Sequence, residues 1–146
     1  MTRTFSKARG LAALRVGYAV CDPEITNYLY RVRQPFNVNK PALAAAEAAL
    51  GDDQHLERTV QTTHEGMQYM VSGLEVRGIG YIPSRANFIC IDVGDAVNAA
   101  LAMRSKGILV TPLANYGMTQ FIRVTIGTTS ENESVMNAIE QCTLTN

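Results

Sequence analysis

A lysine follows a serine near the amino terminus, in the stretch TFSKARGLAALRVGYAV. Lys7 could act as a nucleophile toward an aldehyde, because positive charge such as that of Arg9 or Arg15 disfavours the ammonium form of its amine. The Ser6 hydroxyl and the Arg15 guanidinium are groups that bind phosphate, and Gly10 would let backbone approach closely. These residue types suit a phosphorylated aldehyde cofactor. The alternative is a solvated lysine near the chain terminus, which is the usual case for an exposed lysine there, and spacing alone does not settle the question.

The composition is that of one globular domain. The chain has 146 residues, 47% of them hydrophobic and 18% charged, which is enough to bury a core. Lys plus Arg and Asp plus Glu number 13 each, so no net charge attracts nucleic acid or an anionic membrane. No apolar run reaches the roughly 20 residues of a membrane helix. No secretory apolar segment follows the first charges, and we therefore expect a cytoplasmic protein.

The three cysteines, Cys21, Cys90 and Cys142, are odd in number, widely spaced and flanked by apolar residues. This arrangement suits reduced thiols in a core better than a disulfide framework. No CxxC motif and no cluster of Cys and His indicates a metal site, so none is predicted.

The elements that must position Lys7 begin with RVGYAV at residues 15–20, whose β-branched and aromatic content predicts a short strand. Asp22 and Pro23 then predict the N-cap and first position of a helix, which should end before Pro35. Because two-stranded structures are marginal in water, the strand needs neighbours. The segment ahead of Lys7 is too short to supply a partner strand. We therefore expect residues 15–20 to join a later sheet or to lack their natural partners.

Two helices are predicted in the middle of the chain. The first begins at Pro41 with PALAAAEAAL, whose alanines and leucines lead the helix propensity scale. After an interruption at residues 51–53, apolar residues recur at steps of three, four and seven, which is typical of an amphipathic helix. Gly78 and Gly80 should end it. The stripe comprises Leu56, Val60, Met67, Val71 and Leu74.

The last third predicts the order β-α-β-β-α. In NFICIDV, Ile89 and Ile91 alternate with residues that are also mostly apolar, so this strand should be buried on both faces. A helix over 95–106 follows, then the strands ILVTPL and FIRVTIG joined by the turn ANYGMTQ. Ser130 and Glu133 predict a capping box at the start of a final helix. The fold class is therefore α/β, an α+β sandwich with helices covering one face of a mainly antiparallel sheet.

These stretches carry a resemblance over essentially the whole chain. RTFSKARGLAALRVGYAV resembles the pyridoxal-phosphate lysine segment of class I and II aminotransferases of fold type I. RQPFNVNKPALAAAEAAL is similar to the family's lead into its long interdomain helix, and ANFICIDV to its first small-domain strand. GILVTPLANYGMTQFIRVTIGTTSENE resembles its C-terminal substrate-binding block. Within the family, the similarity is greatest to the histidinol-phosphate aminotransferases.

The resemblance implies roles for residues in the lysine segment. Lys7 matches the lysine that binds pyridoxal 5'-phosphate covalently and later moves a proton at the substrate. Ser6 and Arg15 match ligands of the cofactor phosphate. The family's other cofactor ligands lie upstream of its lysine: a glycine-containing phosphate turn, a stacked aromatic ring, an asparagine and an aspartate paired with the ring nitrogen. This chain has no counterpart of them, so we expect a C-terminal fragment that is inactive alone.

The resemblance also implies a substrate-binding arginine. Arg123 matches the arginine that binds the substrate's anionic group, and strand alternation agrees because Ile122 and Val124 take the opposite face. The alternative is an edge-strand arginine in solvent. Asn87 and Tyr116 match positions near the substrate, although asparagine at a strand end and tyrosine in a turn are also common structural features.

One departure concerns the substrate. Thr111 stands where the family usually has an arginine, so a second clamp on a phosphate-bearing substrate is missing and specificity for histidinol phosphate stays open. Two further departures lie in the lysine segment: Arg9 and Ala13 replace an aromatic residue and a glycine common there.

The resemblance implies three regions: the tail of the cofactor domain (1–40), the interdomain helices (41–78) and the small domain (79–146). It implies a transaminase of histidine biosynthesis that moves an amino group between an amino acid or amino-alcohol phosphate and 2-oxoglutarate. Because residues 11–20 would expose apolar side chains and a strand edge, we expect a homodimer or higher oligomer. The main alternative is a non-catalytic oligomerising or interaction module derived from an aminotransferase. An unrelated phosphate-binding protein would need a glycine-rich loop between strand and helix, and none stands out.

Overall fold

A computed structural model describes residues 1–143, which fall into two compact units, Met1–Val60 and a second that starts at Gln61. Helices and antiparallel sheets make up both, so the predicted α/β class is confirmed. The elements are β1 (Thr2–Thr4), β2 (Gly17–Ala19), α1 (Pro23–Val32), α2 (Lys40–Leu50), α3 (Asp53–Val76), β3 (Tyr81–Ile82), β4 (Phe88–Asp92), α4 (Ala96–Ser105), β5 (Thr111–Leu113), β6 (Met118–Thr125) and α5 (Thr129–Thr143).

The strand predicted near residues 15–20 forms as β2 and has a partner. β1 and β2 pair antiparallel, with Thr2 opposite Ala19 and Thr4 opposite Gly17. The expectation that the residues ahead of Lys7 are too few to supply a strand was therefore wrong, because three residues suffice to pair along all of β2. The backbones of β1 and β2 approach each other so closely that position 17 needs glycine, since a Cβ there would lie 2.7 Å from the Arg3 carbonyl oxygen.

The first unit has a small core in which the lysine segment packs on α2. Its buried residues are Phe5, Val16, Ala42 and Ala46. The alanines of α2 allow this close packing because their side chains are short. Asp22 caps α1 as predicted, accepting from the Glu24 amide at 2.8 Å, yet no residue of α1 is buried.

The second unit is a four-stranded sheet in the order β3-β4-β6-β5, with every pair antiparallel. The side chains on one face of the sheet are buried because they pack against α3, α4 and α5. They include Ile89, Ile91, Ile122 and Val124. On the opposite face of β4, the side chains at 88, 90 and 92 are only half-buried. The prediction that this strand is buried on both faces was wrong, because the helices cover one face alone.

Helix ends in this unit depend on local chemistry. α3 ends as predicted, with Gly78 at φ +65° and the Ile79 amide donating to the Leu74 carbonyl at 3.0 Å. The capping interaction of α5 was predicted at Ser130 and Glu133, two residues too late. It joins Thr128 to Glu131, whose carboxylate accepts from the Thr128 amide at 2.7 Å and hydroxyl at 2.8 Å.

None of the α-helices in residues 1–143 combines the length and the apolar character that crossing a membrane requires. The three cysteines are half-buried and form no disulfide in the structure.

Candidate functional site

The segment that carries Lys7 is a short closed loop. Phe5 is buried, and its backbone donates to the Val16 carbonyl at 3.2 Å and accepts from the Leu11 amide at 2.8 Å. Inside this closure, the Gly10 amide donates to the Lys7 carbonyl at 2.8 Å. Gly10 adopts φ +74°, a conformation that other residues rarely adopt. Lys7 therefore begins a tight turn within a loop whose ends are joined by main-chain hydrogen bonds.

Ser6 and Arg15 meet at this loop. The Arg15 Nη1 donates to the Ser6 Oγ at 3.3 Å and to the Ala12 carbonyl at 2.7 Å. Arg15 follows a single 3-10 turn, Ala12–Leu14, and adopts φ +52°, which turns the chain back toward residue 6. The structure therefore brings together the two predicted phosphate ligands across nine positions of sequence.

The amine of Lys7 lies on the surface. The side chain is exposed and forms no hydrogen bond or ion pair with another residue in the part of the chain that the structure describes. Lys7 thus presents a free primary amine one residue from the Ser6 hydroxyl. An exposed primary amine one residue from a hydroxyl that contacts a guanidinium is a combination of groups that suits an aldehyde carrying an anionic group.

Arg123 lies on the sheet of the second unit. It is exposed on β6, where its register partners are Cys90 of β4 and Thr111 of β5. Its guanidinium lies 5.4 Å from the centroid of the Phe88 ring, a cation–π contact. The predicted alternation is confirmed, because Ile122 and Val124 are buried on the other face. Arg123 is therefore a surface cation steadied by an aromatic ring.

The other two predicted substrate residues lie in the same unit as Arg123. Asn87 directly precedes β4, is half-buried, and its carbonyl accepts from the Ile126 amide at 2.9 Å. This backbone bond extends the pairing of β4 with β6. Tyr116 ends a 3-10 turn between β5 and β6, and its side chain is 74% exposed. No hydrogen bond joins the side chains of Asn87 and Tyr116 to Arg123 among the described residues.

The predicted residues thus fall into two sets. Ser6, Lys7 and Arg15 belong to the first unit, and Asn87, Tyr116 and Arg123 belong to the second. Within residues 1–143, no group of three or more His, Cys, Asp and Glu side chains could hold a metal ion.

The sequence did not predict the roles of two further residues at these sites, Phe88 and Arg9. Phe88 supports Arg123, and Arg9 bonds the lysine turn to the end of α2. Phe88 and Arg123 become neighbours only once the register of β4 and β6 is known, because the pair is diagonal across the two strands. The Arg9 contact spans 40 positions of sequence, for which a single sequence carries no signal.

A family model described as aminotransferase class I and II matches residues 1–139. Among curated proteins, the chain is similar to histidinol-phosphate aminotransferase 2 of Pseudomonas fluorescens (strain Pf0-1), with 48% identity over 142 residues. It is also 45% identical over 145 residues to histidinol-phosphate aminotransferase 1 of Cupriavidus pinatubonensis. These alignments cover 97% of this chain but 38% and 39% of the relatives. The chain therefore spans about two fifths of their length.

Solved structures show the same likeness. A putative aminotransferase from Burkholderia pseudomallei superposes with a TM-score of 0.90 at 29% identity, over 97% of this chain and 44% of that one. Histidinol-phosphate aminotransferase from Sinorhizobium meliloti, solved in complex with pyridoxal-5'-phosphate, gives a TM-score of 0.82 at 27% identity. That match covers 99% of this chain and 41% of the other. The fold of residues 1–143 is thus the fold of part of these enzymes.

Proposed function

Because this chain belongs to the class I and II aminotransferase family, we propose that it carries the lysine segment and the substrate-binding arginine of a transaminase of the histidinol-phosphate type. The reaction moves an amino group between an amino acid or amino-alcohol phosphate and 2-oxoglutarate. The observation that carries the proposal is the contact of the Ser6 hydroxyl with the Arg15 guanidinium, one residue from the exposed Lys7 amine. The rest of the catalytic apparatus would belong to the part of the longer relatives that this chain does not span.

The residues of the lysine loop fit the phosphate end of pyridoxal phosphate. Both hydrogen bonds of Arg15 to described residues come from Nη1, which leaves Nη2 and Nε to donate to phosphate oxygens. The Ser6 hydroxyl can donate to the same phosphate. When bound, the cofactor supplies an electron sink for the charge that develops at the substrate Cα.

Lys7 has two tasks in this proposal. Its amine would hold the cofactor aldehyde, and as a free amine it would take a proton from the substrate Cα and return it. Both tasks need an unpaired amine on a backbone with a defined position. The exposed side chain and the Lys7–Gly10 turn support this assignment.

Arg123 would bind the substrate's anionic group. Its guanidinium donates in a fork that matches a carboxylate, and the Phe88 ring limits its orientations. Asn87 and Tyr116 would line the same region. Thr111, the register partner of Arg123, supplies no second cation, so we propose a preference for donors that carry a carboxylate over those that carry a phosphate. Thr111→Arg in the full-length enzyme should shift that preference toward the phosphate.

Three further assignments are part of the same proposal. The regions 1–40, 41–78 and 79–146 would be the tail of the cofactor domain, the interdomain helices and the small domain. Three unpaired, half-buried cysteines suit the reducing cytoplasm. The enzyme would act as a homodimer or higher oligomer.

A specific observation favours the second candidate, a non-catalytic oligomerising module. α1 buries none of its residues, and it exposes Ile25, Tyr28, Leu29 and Val32. Phe36, shortly after it, is 98% exposed. An exposed apolar helix face of this kind is typical of a surface that contacts another protein.

One experiment separates the two functions. The chain is mixed with pyridoxal phosphate, its visible spectrum is recorded, and the mixture is reduced with borohydride and mapped by mass spectrometry. Lysine occurs only at positions 7, 40 and 106, so Lys40 and Lys106 are internal controls. The proposal predicts an adduct mainly on Lys7. Absence of that adduct would favour the oligomerising module. An adduct that no amino acid converts in a half-reaction would show a cofactor anchor in a chain that is inactive alone.

A further inference from the structure

We propose that Arg9 is a positioning residue for Lys7, because its side chain fixes the lysine turn on the corner between α2 and α3. The inference rests on the proposed function of Lys7. It assigns to Arg9 a task that acts through the backbone of the turn, without contact to cofactor or substrate.

The contacts of Arg9 span the corner between the two helices. Its Nη1 donates to the carbonyl oxygen of Ala49, in the last turn of α2. Its Nη2 lies 3.9 Å from the Oδ1 of Asp53, the first residue of α3. The Arg9 side chain is only 18% exposed, whereas that of Asp53 is 79% exposed. One guanidinium therefore bridges the end of one helix and the start of the next.

The chemistry of this corner suits a guanidinium. The last carbonyls of a helix lack partners within the helix and carry the negative end of its dipole. The Ala49 carbonyl accepts a long bond from the Asp52 amide at 3.4 Å, so the Arg9 cation adds a second, charged donor there and meets the favourable charge of the helix end. The planar fork of Arg9 can donate in two directions at once, which a lysine ammonium on a flexible stem does less well.

Lys7 depends on this attachment because the hydrogen bonds and buried side chains of Phe5 and Val16 hold the ends of the loop, whereas the turn between them has few contacts of its own. In the described part of the chain, Arg9 has the one side chain among residues 7–10 that forms a hydrogen bond or ion pair with another element. The turn itself is closed by one bond, from the Gly10 amide to the Lys7 carbonyl. Without Arg9 the turn would sample more conformations, and the Lys7 amine would spend less time in the geometry that an adjacent phosphate site requires.

Two substitutions test this role. Arg9→Met keeps the length and apolar stem of the side chain but removes both contacts. Asp53→Asn removes the ionic contact alone, at an exposed position. Because this change leaves the buried packing intact, it still tests the role of Arg9 if Arg9→Met fails to fold. The matched control is Arg58→Met, since Arg58 is exposed in the same unit and forms no hydrogen bond or ion pair with residues in the described range.

The first readout needs no cofactor. Amide hydrogen exchange of Gly10, followed by NMR, reports opening of the bond to Lys7. Arg9→Met should accelerate that exchange on the order of tenfold, as expected for loss of a hydrogen bond from a charged donor. Asp53→Asn should accelerate it about threefold, as expected for an exposed ion pair. Arg58→Met should leave it unchanged.

The second readout reports the geometry of Lys7. Pyridoxal phosphate is added, its induced circular dichroism is measured, and borohydride-reduced adducts are mapped on Lys7, Lys40 and Lys106. Arg9→Met should lower both the dichroism and the Lys7 share of label, on the order of tenfold for the latter. Labelling of Lys40 and Lys106 should not change.

The outcomes separate the inference from the function on which it rests. Gly10 exchange at the wild-type rate in Arg9→Met would overturn the inference. Faster exchange with unchanged dichroism and Lys7 labelling would overturn it too, because Arg9 would then be merely structural. A wild-type chain without preference for Lys7 would contradict the proposed function itself, and the positioning role would fall with it.

Discussion

The guanidinium of Arg15 donates to the hydroxyl of Ser6 at 3.3 Å, across nine positions of sequence. This contact depends on the backbone of Arg15, whose φ of +52° is uncommon for a residue with a long side chain. The strain is maintained because Phe5 and Val16, near the two ends of the loop, are buried against α2. The loop is therefore held in the shape that brings the Arg15 guanidinium to Ser6, the residue before Lys7.

Removing these groups should weaken binding of pyridoxal phosphate. Arg15→Met should raise the dissociation constant on the order of tenfold or more, because a charged donor is lost. Ser6→Ala should raise it severalfold, since a neutral hydrogen bond contributes less. Titration followed in the visible spectrum measures both, and Arg31→Met on exposed α1 is the control. Equal affinity in wild type and Arg15→Met would exclude Arg15 as a phosphate ligand.

Gly66 should resist substitution even by alanine. A Cβ there would lie 2.6 Å from both the Asn132 Nδ2 and the Ile126 Cγ2, and both residues are buried. We expect Gly66→Ala to lower the free energy of unfolding by about 1–3 kcal/mol, the usual range for overpacking.

Gly51→Ala is the matched control. The nearest atom to a Cβ at that position is 3.7 Å away and φ is −86°. This variant should be neutral or slightly stabilised, because alanine restricts the unfolded chain. Urea unfolding of both variants measures the difference, and a Gly66→Ala protein as stable as Gly51→Ala would show that α3 can move away from α5.

Glu131 should make stability depend on pH. Hydrogen bonds from the Thr128 backbone amide, and then from its hydroxyl, lower the pKa of Glu131 below its ordinary value of 4.5. The stabilisation is therefore complete above that ordinary value and is lost as the pH falls through the lower folded-state pKa.

The comparison that isolates this effect is Glu131→Gln. The free energy of unfolding of the wild type should exceed that of the variant near neutral pH, and the gap should close in acid. Glu133→Gln corrects for the loss of one negative charge in the same helix. A gap that stays constant from neutral pH into acid would contradict the capping role of Glu131.

The exposed apolar face of α1 should lead to self-association. We expect the chain to sediment as a dimer or larger species at high concentration. Leu29→Glu, on that face, should shift the equilibrium toward the monomer, whereas Leu109→Glu, at an exposed position of the second unit, should not. A wild-type chain that remains monomeric at high concentration would remove the support for an oligomer.

Local signals in the sequence predicted much of this fold. Asp22 and Asp95 mark the starts of α1 and α4 correctly, because an N-cap acts within three residues. The two short strands β1 and β3 were missed, since two or three residues carry no period. The stripe predicted for α3 omitted Met70, which is fully buried, and included Val60, which is 55% exposed. Which apolar residues become buried depends on where the sheet ends, and periodicity does not carry that information.

The candidate site was predictable in its residue types but not in its contacts. A serine, a lysine and an arginine in one segment indicate a phosphorylated aldehyde only if the chain folds back at Arg15. Spacing alone does not settle this, because an exposed lysine near a terminus is usually just solvated. The resemblance to a family supplied the assignment, which stays a prediction; the 3.3 Å contact shows that the chain folds back at Arg15 as the assignment requires.

The most direct test of the central claim is the distribution of reduced label over the three lysines with two aldehydes, pyridoxal phosphate and pyridoxal. If Ser6 and Arg15 hold the phosphate beside Lys7, the phosphorylated aldehyde should label Lys7 far more than Lys40 or Lys106, and pyridoxal should label all three to a similar extent. Equal labelling of the three lysines by pyridoxal phosphate would contradict the claim that this loop is a cofactor anchor.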